Sequence, residues 1–560
     1  MRLLLILTLL VTLFAGNAQA ADLSDRLEKA RQDMVKTQAM LGDARRRFLD
    51  VPSSQADLEL TLARMYLDTA DLLQTMGNAP ERVPFWLAKA EESLSNGRLL
   101  LTPGRSVEAR GLFLDAGSIP KSKSGIRELL TRIKAAHFNM ILPEVFRRGY
   151  TIYPSRYTAI DPEFSGHEDL FPFLMQEARR LDLEVHPWLW CFRVRSPGYG
   201  DPILSRLPAL AARSNKTTEP RFLSPAAPEA RKLVADLIQE LVTTYQPQGV
   251  MMDYIRYDEE TPEDWISLTR FRLEQLNRTG KFPEPGATKE AWQLWREEQV
   301  NAAVAEISRR LRATKQKPVL AAAIFRGEKY ARTVKMQNWR HWANNRWVQW
   351  VSPMLYTNKD EDLSTWIGWE SDGGTRQNLM YPILGLHRMD DSVRQLPEQI
   401  ETINRLHQGG VMFFALAHLP NGTLENLAAG PFRKPAYPPH RNLIQAARRA
   451  LVETSNRYLG MIYHTADLDT AASALVLWQE MKKIEQSIPF GELPYTKNEE
   501  LLDRIDSLTK LAKQMNTDGH FPSQAIAEFS DRLEYAKSLV RANALMLEKK
   551  AVPSSRPPKG

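Results

Sequence analysis

The sequence predicts an α/β fold, a (β/α)8 TIM barrel flanked by N- and C-terminal α-helical regions, and three observations predict it. Between about residues 106 and 435, eight short apolar runs alternate with amphipathic helical stretches, the rhythm of a parallel barrel. Polar and aromatic residues collect where those runs end. On either side of this region the pattern is helical.

Taken in order, Arg2 precedes an apolar run from Leu3 to Gly16, and Ala18 and Ala20 occupy the small-residue positions of a leader cleavage site. Residues 1–20 are therefore expected to be a bacterial signal peptide cut after Ala20, with an exported, periplasmic or secreted product. No later segment approaches the roughly 18 apolar residues that span a bilayer, so no transmembrane segment is expected. Residues 21–105 read as helices over Leu23–Leu49, Gln55–Met76 and Pro84–Leu101, the last two separated at Asn78-Ala-Pro80.

The barrel strands are expected at Gly111–Ala116, Asn139–Val145, Glu184–Cys191, Gly249–Tyr254, Pro318–Ile324, Val348–Leu355, Met380–Leu386 and Gly410–Leu416. Pro228–Tyr245, Glu298–Lys315 and Pro397–His407 are among the helices between them, Pro228 suiting a first helical turn. Long insertions at 192–224 and 258–290 follow the third and fourth strands, on the face where substrate loops sit. Residues 436–548 return to helix after a proline-rich junction, and 549–560 form a tail expected to be disordered. The helical flanks are read as covers of barrel surface or an accessory domain, and as a minority reading they dock an envelope protein.

Composition bounds the function. The 560 residues carry 43% hydrophobic and 25% charged side chains, a net charge of +7 and one cysteine. The basic excess is spread along the chain with no long Lys/Arg cluster, which argues against nucleic acid. Cys191 reads as a buried structural thiol, since no activating base is evident beside it. The sequence has no His-Glu-x-x-His, no paired cysteines and no Gly-x-Ser-x-Gly. His186 and His387 facing each other across the barrel mouth is the one metal arrangement weighed, and no metal or other cofactor is expected.

Strand alternation sorts the candidate residues. Phe113 and Asp115 share a face of the first strand, Leu142 and Glu144 of the second, His186, Trp188 and Trp190 of the third. Met251, Asp253 and Ile255 share a face of the fourth, and Ser352, Met354 and Tyr356 of the sixth. The expected mouth gathers Asp115, Glu144, His186, Trp188, Trp190, Asp253, Arg256 and Tyr356, with Tyr257 at its edge. Carboxylates, a guanidinium and flat rings on one concave face suit a polyhydroxylated substrate. Glycoside hydrolysis needs two carboxyl groups, one protonated and one ionised. Asp253 is the leading nucleophile or base, and Glu328 and Glu144 are the alternatives for the acid. Glu328, beside Lys329, reads equally as a solvated loop residue, and Glu144, before Arg147 and Arg148, as a salt-bridge partner.

These fragments resemble the bacterial glycosyl-hydrolase-like family 10, the domain-of-unknown-function 187 group. The resemblance rests on Glu108-Ala-Arg-Gly-Leu-Phe-Leu-Asp115, Phe138-Asn-Met-Ile-Leu-Pro-Glu-Val145, Gly149-Tyr-Thr-Ile-Tyr-Pro-Ser155, Glu184-Val-His-Pro-Trp-Leu189, Gly249-Val-Met-Met-Asp-Tyr-Ile-Arg-Tyr257 and Ser352-Pro-Met-Leu-Tyr356, in that order. It implies a TIM barrel, an envelope location and glycosidase activity, with peptidoglycan glycan strands as one target type. It also implies Asp253 as the main catalytic carboxylate and places Glu328 in a family-like acidic position. The competing expectation is a non-catalytic carbohydrate-binding or scaffold protein on the same fold.

Overall fold

The computed structural model describes residues 2–76, 80–214, 219–258, 263–282, 289–371, 379–389, 392–464, 467–491, 493–517 and 523–551. The expected break at residues 77–79, parts of both insertions and residues 552–560 of the tail lie outside the described residues.

Eight parallel strands close into a barrel: β1 (Ala109–Leu114), β2 (Met140–Arg147), β3 (Glu184–Val185 and Trp188–Trp190), β4 (Gly249–Asp253), β5 (Val319–Phe325), β6 (Trp350–Met354), β7 (Ile383–Gly385) and β8 (Gly410–Phe414). Each pairs with its neighbour in sequence, and β8 pairs with β1 to complete the ring. A two-residue strand, Tyr150–Thr151, folds back antiparallel on β2. The third strand, expected as one run, is interrupted at His186-Pro187, where proline has no amide to give to the ladder. The Pro187 carbonyl still accepts from the Met251 amide at 2.9 Å. The helix expected to start at Pro397 begins instead at Ser392 and carries Pro397 within it, at the loss of one main-chain hydrogen bond. Within the second insertion, Trp265–Thr279 is helical, its first turn capped by the Asp264 side chain.

Alternation divides the strand residues into two apolar layers. Leu112, Ile141, Val185, Leu189, Val250, Leu320 and Phe413 face the surrounding helices. Phe113, Leu142, Trp188, Met251, Ala321, Trp350 and Met412 fill the barrel. Cys191 lies in the outer layer as a free, buried thiol, and burial pushes its pKa up.

The inner layer continues without a break into the C-terminal helices Leu443–His464, Leu468–Ser487, Tyr495–Thr517 and Ser523–Ala551. These helices seal the floor, the end of the barrel where the strands begin. Tyr535 donates to the Val107 carbonyl at 3.1 Å, and His407 meets Asp531 at 2.8 Å. At the centre of the seam Glu184, at the start of β3, is buried and accepts from three side chains. His186 Nε2 and His440 Nε2 each lie 2.8 Å from its Oε2, and Arg441 pairs with its other oxygen. The Tyr381 hydroxyl holds the far nitrogen of His440 at 3.0 Å.

The N-terminal helices Arg2–Arg46, Ser53–Met76 and Val83–Leu101 form their own apolar cluster beside the barrel. Arg433 ties them down through the carbonyls of Leu100 and Thr102, at 2.9 and 2.6 Å. The two helical flanks also touch, through Arg47 and Glu528 at 2.5 Å and Arg457 to the Phe48 carbonyl at 2.6 Å.

Burial opposes ionisation of Glu184, yet His440 and His186 hold its carboxyl well below the usual range. A depressed folded value means that this stabilisation is complete above the unfolded value of about 4.3 and fades as pH falls through the folded one. Glu184→Ala removes the anion that Arg441 and both histidines share, and is expected to cost about 3 kcal/mol at pH 7. Urea unfolding at pH 7 and pH 3 checks this; an unchanged midpoint at pH 7 refutes the clamp.

Candidate active site

Asp253 ends β4 and points into the mouth, where the inner face of the strand leaves apolar packing. Its Oδ2 accepts from Trp188 Nε1 at 3.0 Å and its Oδ1 from the Tyr254 amide at 2.7 Å. Burial raises its pKa, and the two donors with Arg256 and Arg193 work against that rise. Tyr254 adopts φ +48, a left-handed turn that ends the alternation. Ile255 therefore leaves the face expected of it and joins the outer apolar layer. Tyr257, expected to bind substrate, follows it outward, away from the mouth. It is fully buried, its hydroxyl 3.0 Å from Ser267 Oγ, which in turn donates to Asp264 at 2.7 Å. Arg256 stays near the mouth, its guanidinium 5.0 Å from the Tyr254 ring and 5.1 Å from that of Phe325.

Glu144 comes from β2 at a register shift against β3, where Glu144 pairs with Trp188 and Phe146 with Leu189. Bulges of this kind re-aim a side chain next to a site. Glu144 is 3% exposed, accepts from the Ala116 amide at 3.0 Å and has Arg147 Nη1 at 3.7 Å. Burial pushes its carboxyl up to about 7. Arg147 is engaged elsewhere, with Asp161 at 3.0 Å and Glu163 at 2.8 Å. Asp115, just past β1, accepts from Ser118 Oγ at 2.6 Å and from the Ala417 amide at 3.0 Å. It is a loop-organising carboxylate on the same rim.

Trp188 bridges the two leading carboxyls. Its backbone registers with Glu144 on one side and Met251 on the other, and its indole holds Asp253. Its ring packs edge-on to Phe113 and Phe414, with centroids 5.3 and 5.7 Å away. Trp190 lies 5.0 Å from Tyr254, and Arg193 covers both rings while donating to the Tyr254 hydroxyl at 2.9 Å. On the opposite wall Tyr356 stacks on Phe414 at 5.6 Å beside His387, and His387 faces His418 at 5.3 Å. Sequence reasoning missed Arg193, Tyr254 and Phe414 as members of the mouth. The aromatic-basic run from Trp190 to Arg195 was the available signal for Arg193.

Two other expected residues stand elsewhere. Glu328 opens the helix Glu328–Val334 and pairs with Arg340 at 2.5 Å. It lines an outer hollow with Lys289 and Glu290 rather than the mouth. It is displaced because Gly327, at φ +74, turns the chain away as β5 ends. His186 sits at the floor within the Glu184 clamp, since the strand break after it leaves it level with Gly249, the first residue of β4. It cannot face His387, which stands at the opposite end of the barrel. Glu184, His186 and His440 have the donor spacing of a metal site. Arg441 already neutralises the carboxylate, however, and a divalent ion would leave two uncompensated buried charges.

The sequence profile of the family described as Glycosyl hydrolase-like 10 matches residues 111–372, which meets the resemblance drawn from the motifs. Glycosyl hydrolase YngK of Bacillus subtilis (strain 168) is 21% identical over 376 residues, 58% of this chain and 69% of the relative. Among solved structures, the glycoside hydrolase domain of PgaB (BpsB) from Bordetella bronchiseptica shares 13% identity and a TM-score of 0.46, over 57% of this chain and 98% of that one. The catalytic domain of a beta-amylase from Paenibacillus polymyxa shares 10% and 0.41, over 59% and 96%.

Tyr257→Phe should cost about 1 kcal/mol of stability through the lost Ser267 bond while leaving glycan turnover unchanged. Glu328→Gln should leave turnover within about twofold, as expected of a partly exposed ion pair. Parallel denaturation and turnover measurements check both; a large loss of turnover in either variant returns that residue to the site.

Proposed function

We propose that this chain, whose barrel matches the glycosyl hydrolase-like 10 family, is an exported glycoside hydrolase that cleaves an envelope polysaccharide, with peptidoglycan glycan strands as the first substrate to test. The observation that carries the reading is a pair of inward carboxyls in unlike environments at the ends of β2 and β4, one on each side of β3. Asp253 has two donors and two nearby guanidinia to favour its anion. Glu144 is dry and keeps its proton up to about pH 7. Environments that separate two carboxyls in this way assign the acid and the base.

In this reading the sugar lies against Trp190, Tyr254 and Tyr356, with Arg193 and Arg256 near its hydroxyls. Glu144 delivers its proton to the departing glycosidic oxygen. Asp253, ionised, attacks the anomeric carbon or takes a proton from the water that does so. Trp188 fixes the Asp253 oxygen that faces away from the Tyr254 amide. Export is supported by the leader-like run before Ala20. A non-catalytic glycan-binding reading draws on the near-complete burial of Glu144, which leaves little of the acid open to a sugar.

Release of soluble fragments from purified peptidoglycan separates these readings. Asp253→Asn and Glu144→Gln should each lower turnover by about 10²–10⁴-fold, with folding intact. The rate should fall as pH rises through about 7, where Glu144 loses its proton, and should fall on the acid side above the ordinary aspartate range. Because the folded value of Glu144 is raised, its ionisation costs stability that grows from pH 4.3 to about 7. Glu144→Gln should therefore be more stable than the parent at pH 8, by about 3 kcal/mol. Turnover undiminished in Asp253→Asn sinks the mechanism. No release by the parent protein favours binding or another polysaccharide.

A further inference from the structure

A second groove lies at the floor end of the barrel, remote from the mouth, where the end of the first helix meets the junction at 434–437 and the helix Leu443–His464. It encloses about 1090 Å³, at the upper end of the roughly 300–1,000 Å³ that hold a small ligand. Its charge is one-sided. Arg45, Lys434, Arg448, Arg449 and Arg457 line it against two carboxylates, Asp50 and Glu453.

Arg457 is committed to the fold through Phe48 and Glu528. The other four cations differ in how available they are to a ligand. Arg449 is exposed and lies 4.7 Å over the Tyr437 ring. Arg45 and Lys434 hold exposed pairs with Asp57 and Asp50, and Arg448 meets Glu485 at 3.3 Å. The exposed Arg45 and Lys434 pairs are worth little and exchange readily for a ligand anion, whereas the Arg448 pair is largely buried and stays with the fold. Phe490, 78% exposed, closes one end of the groove with the Arg448 guanidinium 4.4 Å from its ring.

We propose that this groove docks a segment of an acidic, carboxylate-bearing polysaccharide, separately from the hydrolytic mouth. Cations spaced along a groove match a chain with one carboxylate on each sugar or every second sugar. A bare ring backed by a guanidinium matches the apolar face of a pyranose. The interspersed Asp50 and Glu453 disfavour the denser charge of duplex DNA, which carries one negative charge every ~1.7 Å. A concave groove also fits a single chain better than a flat lipid surface. The proposal does not depend on hydrolysis, because its test reads binding alone.

The test uses the full chain in the Asp253→Asn form, with polygalacturonate oligomers as the acidic glycan and dextran oligomers of equal length as the neutral one. Duplex DNA and phosphatidylglycerol vesicles serve as the other polyanions. Binding is followed by fluorescence anisotropy for the soluble ligands and by sedimentation for the vesicles. Polygalacturonate should bind, dextran should not, and affinity should fall with salt. Lys434→Glu with Arg449→Glu should weaken binding about tenfold or more, whereas Arg278→Glu, a charge reversal elsewhere on the surface, should leave it unchanged. With Asp253 restored, Lys434→Glu/Arg449→Glu should keep the parent unfolding midpoint and turnover of a short soluble glycan, so that failure of the groove and failure of the mouth are told apart. Absence of polygalacturonate binding, or equal binding by the double variant, overturns the proposal. So does groove-dependent binding of DNA or vesicles tighter than that of the glycan.

Discussion

A carboxylate buried at the barrel floor sets the terms for the rest of the molecule. Glu184 begins a strand whose neighbours are apolar, and an unpaired anion there would be costly enough to open the barrel. Its partners come from the same strand, as His186, and from 256 residues downstream, as His440, with Arg441 next to it. The C-terminal helices are thus attached at the point where the barrel needs cationic and donor groups. Once attached, they carry the inner apolar layer past the strand ends and close the floor. With the floor closed and packed, polar groups have one end of the barrel left to occupy.

The two ends show one physical effect with opposite results. Burial pushes both Glu184 and Glu144 toward the protonated form. At the floor two imidazoles and a guanidinium bond the carboxylate directly and win. At the mouth one backbone amide at 3.0 Å is the direct donor to Glu144, and Arg147 stands off at 3.7 Å, so desolvation wins. A charge at the floor holds two regions together. A proton at the mouth is available for transfer.

Much of this was legible in the sequence wherever it depended on neighbours within a few residues. The eight strands, the alternation that turns Trp188 inward and Cys191 outward, and the strand-end position of Asp253 all follow from local periodicity. What failed depended on single backbone events or distant partners. One left-handed residue, Tyr254, sends Ile255 and Tyr257 to the outer layer, and nothing in Asp-Tyr-Ile-Arg-Tyr marks it. His-Pro broke the third strand and left His186 at the floor, although the proline itself was visible. Glu328 could be separated from the mouth only by knowing that Arg340 waits for it across a turn at Gly327. The Glu184 clamp joins residues too far apart in the chain for periodicity to connect them.

The state of Glu144 rests in turn on a second layer of charge. Arg147 is close enough to ionise a neighbouring carboxyl if its charge were free. Asp161 and Glu163 take up that charge from the loop beyond β2, at 3.0 and 2.8 Å, and Asp161 also meets Arg148 at 3.2 Å. Two guanidinia and two carboxylates therefore pair beside Glu144, and the pull of Arg147 and Arg148 toward ionisation stays weaker than the push of burial. Asp115, on the neighbouring strand end, adds a negative charge that favours the proton further. The protonated acid is thus a product of the whole rim: dry walls raise it, two guanidinia already paired with carboxylates lower it only in part, and an adjacent carboxylate supports the proton.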